Sequence, residues 1–126
     1  MRVLVCGGRD FNNIYAIDWA LRSVKPSVII EGGAKGADCQ AGQWAIVNKI
    51  KHEVYEAEWS KHGKSAGPIR NQRMLVEGKP DLVIAFPGGR GTEDMIQQSE
   101  AAGIPVAIIP RDKVDKITDW VPIEDK

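Results

Sequence analysis

The chain has 126 residues, the length of one domain, and its 43% hydrophobic and 27% charged content is ordinary for a globular protein with a buried core. No apolar run approaches the roughly 20 residues that a membrane-crossing helix needs. The 17 basic and 17 acidic side chains cancel, which argues against a broad basic surface for nucleic acid.

The N-terminal segment and the scarcity of metal-binding residues limit location and cofactors. The apolar start, residues 1–6, is too short for a signal peptide because Gly7 to Asp10 ends it. We therefore expect a cytoplasmic protein that does not contact a membrane. The two cysteines and two histidines have neither disulfide nor metal-ligand spacing, so we expect no metal and no cofactor.

Five short apolar segments recur along the chain and predict five β-strands. Four are nearly continuous runs rich in Val and Ile, which is typical of parallel strands covered on both faces. The third alternates polar and apolar residues, like an edge strand. The predicted strands cover residues 2–6, 27–30, 53–57, 82–86 and 104–109.

Helical spacing of apolar residues separates these strands. The pair Asn12-Asn13 supplies an N-cap for the first helix, and Pro68 suits N1, the first helical position, of the third. The predicted helices cover residues 14–24, 36–50, 68–77 and 92–103. This alternation predicts an α/β fold: a Rossmann-like, doubly wound sheet of about five mostly parallel strands in the order 3-2-1-4-5, with helices on both faces.

We expect residues 1–126 to form a single domain, with a core over residues 2–110 and a tail over residues 111–126. The composition of the tail is mixed and predicts no defined element. Its apolar side chains, Ile117, Trp120 and Val121, are expected to pack back on the body of the domain.

Glycine-rich loops follow the first, second and fourth predicted strands, at residues 7–10, 32–36 and 87–92. Parallel strands end at one edge of a sheet, so these loops share that edge, where ligands of such folds bind. Glycine lets the backbone approach a ligand, and each following helix directs the positive end of its dipole there. A single loop is explained by a tight turn alone, whereas three converging loops predict an anion site suited to phosphate.

Basic side chains concentrate around the same edge. Some lie in the glycine loops and others in the segment after the third strand: Arg9, Lys35, Arg90, Lys61, Lys64, Arg70 and Arg73. For Lys35, Lys61 and Arg73, simple exposure to solvent is an equally good interpretation. Trp59 either stacks on a base or packs at the strand edge. Residues 59–67 lack an apolar stripe, which suggests a mobile cover over the ligand.

Two familiar nucleotide motifs are not met. Gly63-Lys64-Ser65 resembles the end of a P-loop, but Glu58 stands where that motif requires glycine. The first loop does not give G-x-G-x-x-G, which argues against an ordinary dinucleotide site. Glu31, at the end of the second strand, is interpreted either as an acid that holds ribose hydroxyls or as a solvated strand end.

Four ordered motifs, at residues 6–11, 31–38, 59–75 and 86–92, resemble the YpsA-related branch of the SLOG superfamily. That superfamily joins the DNA-processing family DprA/Smf with the Lonely Guy phosphoribohydrolases. The resemblance spans roughly residues 2–110. It implies a Rossmann-like fold and the binding of nucleotides or nucleotide-derived ligands.

Lonely Guy enzymes release the base from nucleoside monophosphates, and their signature is P-G-G-x-G-T-x-x-E with an upstream R-K-x-x-M. This chain keeps the P-G-G-x-G-T part at residues 87–92, and Arg70 and Met74 match the upstream element. Asn71 replaces the lysine and Met95 the glutamate. Because cleavage of the glycosidic bond uses a carboxylate, the replacement of the glutamate by Met95 removes the acid that these enzymes use in catalysis. We expect Met95→Glu to restore that acid, to complete a capping box with Thr92 as N-cap, and to keep the fold.

The resemblance and the glycine loops together predict a protein that binds a nucleotide or nucleotide-derived phosphate ligand, including ADP-ribose-like or cyclic ones, as a sensor or sequestering module. The predicted ligand-binding residues belong to the loops and the segment after the third strand. They are Gly7, Gly8, Arg9, Asp10, Gly32, Gly33, Gly36, Asp38, Trp59, Lys64, Arg70, Asn71, Pro87, Gly88, Gly89, Arg90, Gly91 and Thr92.

Two other functions are retained as alternatives. The first is a hydrolase or transferase that acts on the N-glycosidic or phosphate bond of a nucleotide, with Arg70, Asp38 and Asp94 as candidate catalytic residues. The second is a single-stranded DNA binder, against which the 6% aromatic content and zero net charge count. Enzymes of the resembling family are dimers, so a homodimer is an open alternative.

Overall fold

Five strands form a single sheet, in a computed structural model that describes residues 1–122. The strands are β1 (Arg2–Cys6), β2 (Val28–Glu31), β3 (Lys51–Val54), β4 (Leu82–Ala85) and β5 (Val106–Ile108). They pair in parallel in the order β3-β2-β1-β4-β5. This confirms the predicted fold class and strand order.

Helices connect these strands and cover both faces of the sheet. Within the described residues they are α1 (Ile14–Val24), α2 (Ala37–Val47), α3 (Trp59–His62), α4 (Ala66–Val76), α5 (Arg90–Ala101) and α6 (Arg111–Lys116). A 3₁₀ turn at Gly63–Ser65 joins α3 to α4. The segment predicted as a mobile cover, residues 59–67, consists of short helical elements and the start of α4.

Side chains of the central strand β1 alternate between two apolar cores. Val3 and Val5 pack with residues of α1, α2 and α6 on one face of the sheet. Leu4 and Cys6 pack with residues of α4 and α5 on the other face. Because both faces of the sheet are covered, the sequence of β1 is a continuous apolar run rather than an alternation of polar and apolar residues.

The predicted ranges of β1 and α1 match the structure, and the other predicted boundaries differ from it by at most three residues. The edge strand β3 lies at Lys51–Val54 rather than 53–57, because its register is set by hydrogen bonding to β2. Helix α4 begins at Ala66, so Pro68 is its third residue rather than its first, as predicted, but it still lies in the first turn, where its missing N–H breaks no helical bond. Helix α5 begins at Arg90, two residues earlier than predicted.

The tail packs on α1, in line with the expectation for its apolar residues. Ile117 is buried in the first core and Val121 is partly buried against it. Trp120 meets Tyr15 edge to face, with ring centroids 4.8 Å apart. The tail also contains helix α6, which the sequence did not predict. Residues 123–126, the end of the predicted tail, lie outside the described residues.

Asn13 connects the tail to the first helix. Its Oδ1 accepts the Ala16 N–H at 3.1 Å and so caps α1, as predicted. Its Nδ2 donates to the carbonyl oxygens of Val114 and Ile117 at 3.0 and 2.8 Å. One side chain therefore fixes α6 against the start of α1.

Among residues 1–122, none of the helices has both the length and the apolar character to span a bilayer. The same residues contain no cluster of three or more His, Cys, Asp or Glu side chains positioned to hold a metal ion. The two cysteines of the chain are both free thiols, with Cys6 buried and Cys39 exposed.

Candidate functional site

The three glycine loops meet at the carboxyl edge of the sheet. The Gly8 N–H donates to the Pro87 carbonyl at 2.9 Å, and the Gly8 carbonyl accepts the Ala37 N–H at 3.2 Å. A Cβ at Gly36 would lie 2.1 Å from the Gly8 carbonyl oxygen, and one at Gly88 would lie 2.2 Å from Thr92 Oγ1. Glycine is therefore required at position 36 by packing between the first two loops and at position 88 by packing against Thr92, independently of any ligand.

A cavity of about 550 Å³ opens between these loops and α4. Twelve of the predicted ligand-binding residues line it: Gly7, Gly8, Arg9, Asp38, Trp59, Lys64, Arg70, Asn71, Gly89, Arg90, Gly91 and Thr92.

The remaining predicted binding residues do not line this cavity. Gly32 and Gly33 border a smaller cavity of about 240 Å³ beside it. Asp10 and Pro87 border a groove on the other side of Gly89. Of the second glycine loop, only Ala34 lines the main cavity, and Gly32 and Gly33 lie beside it.

The N-terminus of α5 forms part of the cavity wall. Its N-cap is Gly89, which has no side chain to cap the helix. Within residues 1–122, the backbone N–H groups of Arg90, Gly91 and Thr92 donate to no other group. In the same part of the chain, a Cβ at Gly89 or Gly91 would meet no atom within 4 Å. Free N–H groups at a helix N-terminus form an anion-binding arrangement.

Four of the seven predicted basic residues line the cavity: Arg9, Lys64, Arg70 and Arg90. The other three do not, and Arg73 instead pairs with Glu77 at 3.3 Å and lies over the Tyr55 ring. Arg9 lies over the ring of Trp59, which is 49% exposed, with 5.7 Å between the guanidinium carbon and the ring centroid.

Arg70 is held by the second glycine loop. Its Nη1 donates to the Gly32 carbonyl and its Nε donates to Asn71 Oδ1 at 3.1 Å. A Cβ at Gly32 would lie 2.4 Å from Arg70 Nη1, so glycine there makes room for the guanidinium. Burial lowers the pKa of Arg70, and the Asp38 carboxylate opposes that change. Arg70 is therefore a positioned, partly desolvated cation in the cavity wall.

Asp38 is a buried acid of the same cavity, only 6% exposed, on the first turn of α2. Desolvation is the main cause that raises its pKa to about 6, and the nearby Glu31 adds to the effect. The Ala34 N–H, at 3.3 Å, and Arg70 oppose the rise. An acid with such a pKa exchanges its proton near neutral pH, which is the property of a general acid or base.

From the raised pKa of Asp38, we expect this group to lower the free energy of unfolding as the pH rises. The folded state binds a proton that the unfolded state has lost, so we expect the free energy of unfolding to drop by about 2 kcal/mol between pH 4.5 and 7.5 from this group. Asp38→Asn removes that contribution, and urea denaturation at the two pH values measures it. The exposed Asp112 provides the control: Asp112→Asn keeps the wild-type slope, and an unchanged slope in Asp38→Asn contradicts the assignment.

Asp94 is oriented by two amide side chains. Its Oδ2 accepts from Asn71 Nδ2 at 2.9 Å and from Gln98 Nε2 at 2.8 Å. Asn71 is buried, and it also donates to the Gly91 carbonyl at 3.3 Å. Asn71 thus links Arg70, the start of α5 and Asp94 in one network. Both candidate acids, Asp38 and Asp94, line the cavity together with Arg70.

Glu31 was interpreted either as an acid that holds ribose hydroxyls or as a solvated strand end, and both interpretations are wrong. Glu31 is buried, and its Oε2 lies 2.6 Å from His52 Nε2 while Oε1 accepts the Gly33 N–H. It does not line the cavity. Its contacts hold the second glycine loop against the edge strand β3. They therefore help to position the Gly32 carbonyl, which accepts a hydrogen bond from Arg70.

The prediction that a glutamate at position 95 would restore the family acid and complete a capping box is also wrong. Its side chain is fully buried in the second core, with Leu4, Cys6 and Met74 among its neighbours, and does not face the cavity. Because α5 begins at Arg90, Thr92 is its third residue rather than its N-cap. A glutamate at position 95 therefore completes no capping box.

Some residues of the cavity wall were not among the predicted ligand-binding residues. They are Cys6, Ala34, Gly67, Pro68 and Met74, and Asp94 was predicted only as a catalytic candidate. Cys6 and Ala34 are adjacent in sequence to predicted site residues, and the other three lie on α4 within four residues of Arg70. Burial raises the pKa of Cys6 to about 12, so its thiol stays protonated and is a poor nucleophile.

The chain is similar in sequence to a protein family and to a phage protein. The family model described as the YspA, cpYpsA-related SLOG family matches residues 1–62, which include the first two glycine loops. The Gene 61 protein of Mycobacterium phage D29 is 38% identical over 117 residues, a match that covers 83% of this chain and 93% of that protein. The similarity thus extends from the first half of the domain well into the second.

Proposed function

The chain belongs to the YspA, cpYpsA-related SLOG family, and we propose that it binds a nucleotide or nucleotide-derived phosphate ligand in the main cavity, as a sensor or sequestering module. One observation carries the proposal. The uncapped N-terminus of α5 opens into a cavity of about 550 Å³ lined by four basic side chains. That volume lies within the range of about 300–1,000 Å³ for small-ligand sites.

The free N–H groups at the start of α5 would receive the phosphate, with Arg70 and Arg90 to balance its charge. A partly desolvated arginine binds phosphate more strongly than an exposed one, because less water screens the pair. Trp59 lies at the rim beside Arg9 with half of its surface exposed, which suits stacking on a base. The ligand would then span from the phosphate site to this rim.

The binder is favoured over a phosphoribohydrolase because position 95 supplies no acid. A fully buried methionine neither stabilises an oxocarbenium-like transition state nor activates water. In a binder, the role of Asp38 and Asp94 is to hold Arg70 and Asn71 and to accept hydrogen bonds from the ligand.

A nucleotide-processing enzyme remains the second candidate, and the buried Asp38 beside Arg70 is the observation that favours it. In that reaction Arg70 would position the phosphate, and Asp38 or Asp94 would serve as general base. Chromatography of wild-type protein incubated with nucleoside monophosphates decides between the two. Intact nucleotides support the binder, whereas rapid release of free base establishes the enzyme.

We expect Arg70→Ala to weaken binding of nucleoside 5′-monophosphates by about 1.5–3 kcal/mol, the contribution of a hydrogen bond to a charged group. Isothermal titration calorimetry with each of the common nucleotides measures the loss. Arg73→Ala is the matched control, because Arg73 lies on the same helix but does not line the cavity. Equal affinities for the two variants would place the phosphate elsewhere.

A further inference from the structure

Asn71 lies on α4 in the wall of the main cavity, with only 4% of its surface exposed. Its Nδ2 donates to Asp94 Oδ2 at 2.9 Å and to the Gly91 carbonyl at 3.3 Å. Both amide hydrogens are therefore used within the protein. Its Oδ1 can only accept a hydrogen bond, and a phosphate dianion has no hydrogen to donate. Asn71 thus borders the cavity without offering a donor to a phosphate.

The Oδ1 atom of Asn71 instead contacts Arg70. It accepts from Arg70 Nε at 3.1 Å, while Arg70 Nη1 donates to the Gly32 carbonyl. The other N–H groups of this guanidinium donate to no group within residues 1–122. These two contacts fix the orientation of the guanidinium and leave part of it free for a phosphate, which arginine binds through paired N–H groups.

The groups that hold Arg70 are neutral. Both of its acceptors are amide carbonyl oxygens, and Arg70 forms no ion pair in the part of the chain that the structure describes. A carboxylate in the same place would compete with a phosphate for the guanidinium, because it carries the same sign of charge. An amide at position 71 therefore orients the cation and leaves its charge available to an anionic ligand.

We propose that Asn71 is a positioning residue of the phosphate site, which acts on the ligand through Arg70 and does not contact the ligand itself. Without Asn71, Arg70 keeps only its hydrogen bond to Gly32 and has to be ordered when the ligand binds. Ordering one flexible side chain lowers affinity by about three- to tenfold. This inference rests on the proposed function and assigns Asn71 a role different from the direct contact predicted from the sequence.

A double-mutant cycle tests whether Asn71 acts through Arg70. Calorimetry with AMP, GMP, CMP and UMP first identifies the nucleotide that the wild-type protein binds most tightly. We expect Asn71→Ala to weaken binding of that nucleotide about three- to tenfold in the wild-type background and to cause no further loss in Arg70→Ala. Gln72→Ala is the matched control, because Gln72 is an exposed amide on the same helix that does not line the cavity.

Thermal unfolding separates this role from a purely structural one. Because Asn71 is buried, Asn71→Ala should lower the melting temperature in both backgrounds, whereas its effect on affinity should appear only where Arg70 is present. If Asn71→Ala does not fold, Asn71→Ser repeats the cycle with a smaller loss of volume.

The outcomes distinguish this inference from the proposed function. An equal loss of affinity in both backgrounds rejects the inference, because Asn71 then acts independently of Arg70. Wild-type affinity in Asn71→Ala also rejects it, and in both cases nucleotide binding itself stands. Absence of binding of all four nucleotides to the wild-type protein contradicts the proposed function, and the inference with it.

Discussion

Gly89→Asp is expected to abolish binding of phosphate ligands and to leave the fold intact. The new carboxylate would lie at the N-cap of α5, within about 4 Å of a bound phosphate. Repulsion of two unit charges at that distance amounts to about 4 kcal/mol at an effective dielectric constant of 20, or roughly a thousandfold in affinity. The fold tolerates the change, because no described atom lies within 4 Å of the added Cβ and aspartate is a favourable N-cap.

Gly89→Asn separates charge from bulk, because asparagine has nearly the same size and is also a favourable N-cap. We expect it to weaken binding less than Gly89→Asp, while both variants match or exceed the wild-type melting temperature. Calorimetry with the tightest-binding nucleotide and thermal unfolding give the two readouts. Wild-type affinity in Gly89→Asp would show that the start of α5 does not receive the phosphate.

The strand order and the shared edge of the glycine loops were predictable because they depend on short, local patterns. Continuous runs such as Val3–Val5 identify strands covered on both faces, and a double glycine after a strand identifies a tight turn at its carboxyl end. The right-handed rule for parallel connections then limits the order of the strands. None of these steps needs the position of a side chain.

The separate roles of the glycines were not predictable, because they depend on what lies opposite each one. Gly88 and Gly89 are neighbours in the same motif, yet a Cβ at Gly88 would collide with Thr92 Oγ1 while one at Gly89 would meet no described atom. The first is therefore a packing requirement and the second leaves space for a ligand. The same reasoning separates Gly36, which touches the first loop, from Gly91.

The role of Glu31 was predicted wrongly, because burial decides it. Glu31 and Asp38 are both acids near the second loop, and the sequence gives no measure of their depth. In the structure Glu31 bonds to His52, whereas Asp38 faces the cavity beside Arg70. The tertiary contacts of β3 and α2 produce this difference, and they join residues far apart in the chain.

Met95→Glu is expected to destabilise the protein by about 3–5 kcal/mol, because it buries a carboxylate without a partner. That cost is a large part of the 5–15 kcal/mol that typically holds a domain folded. Burial would raise the pKa of the new glutamate, so the destabilisation should be smallest at low pH and grow as the pH rises above about 4.3. Urea denaturation at pH 4.5 and 7.5 measures both effects.

Met95→Leu is the matched control, because it conserves volume and polarity and should cost less than about 1.5 kcal/mol. Any folded fraction of Met95→Glu should release no base from nucleoside monophosphates, since the side chain at this position points into the core rather than into the cavity. A stable glutamate variant that hydrolyses nucleotides would mean that α5 can rotate position 95 into the site. The cavity would then need only this one acid to become a hydrolase, and the proposed binder would be an enzyme that has lost it.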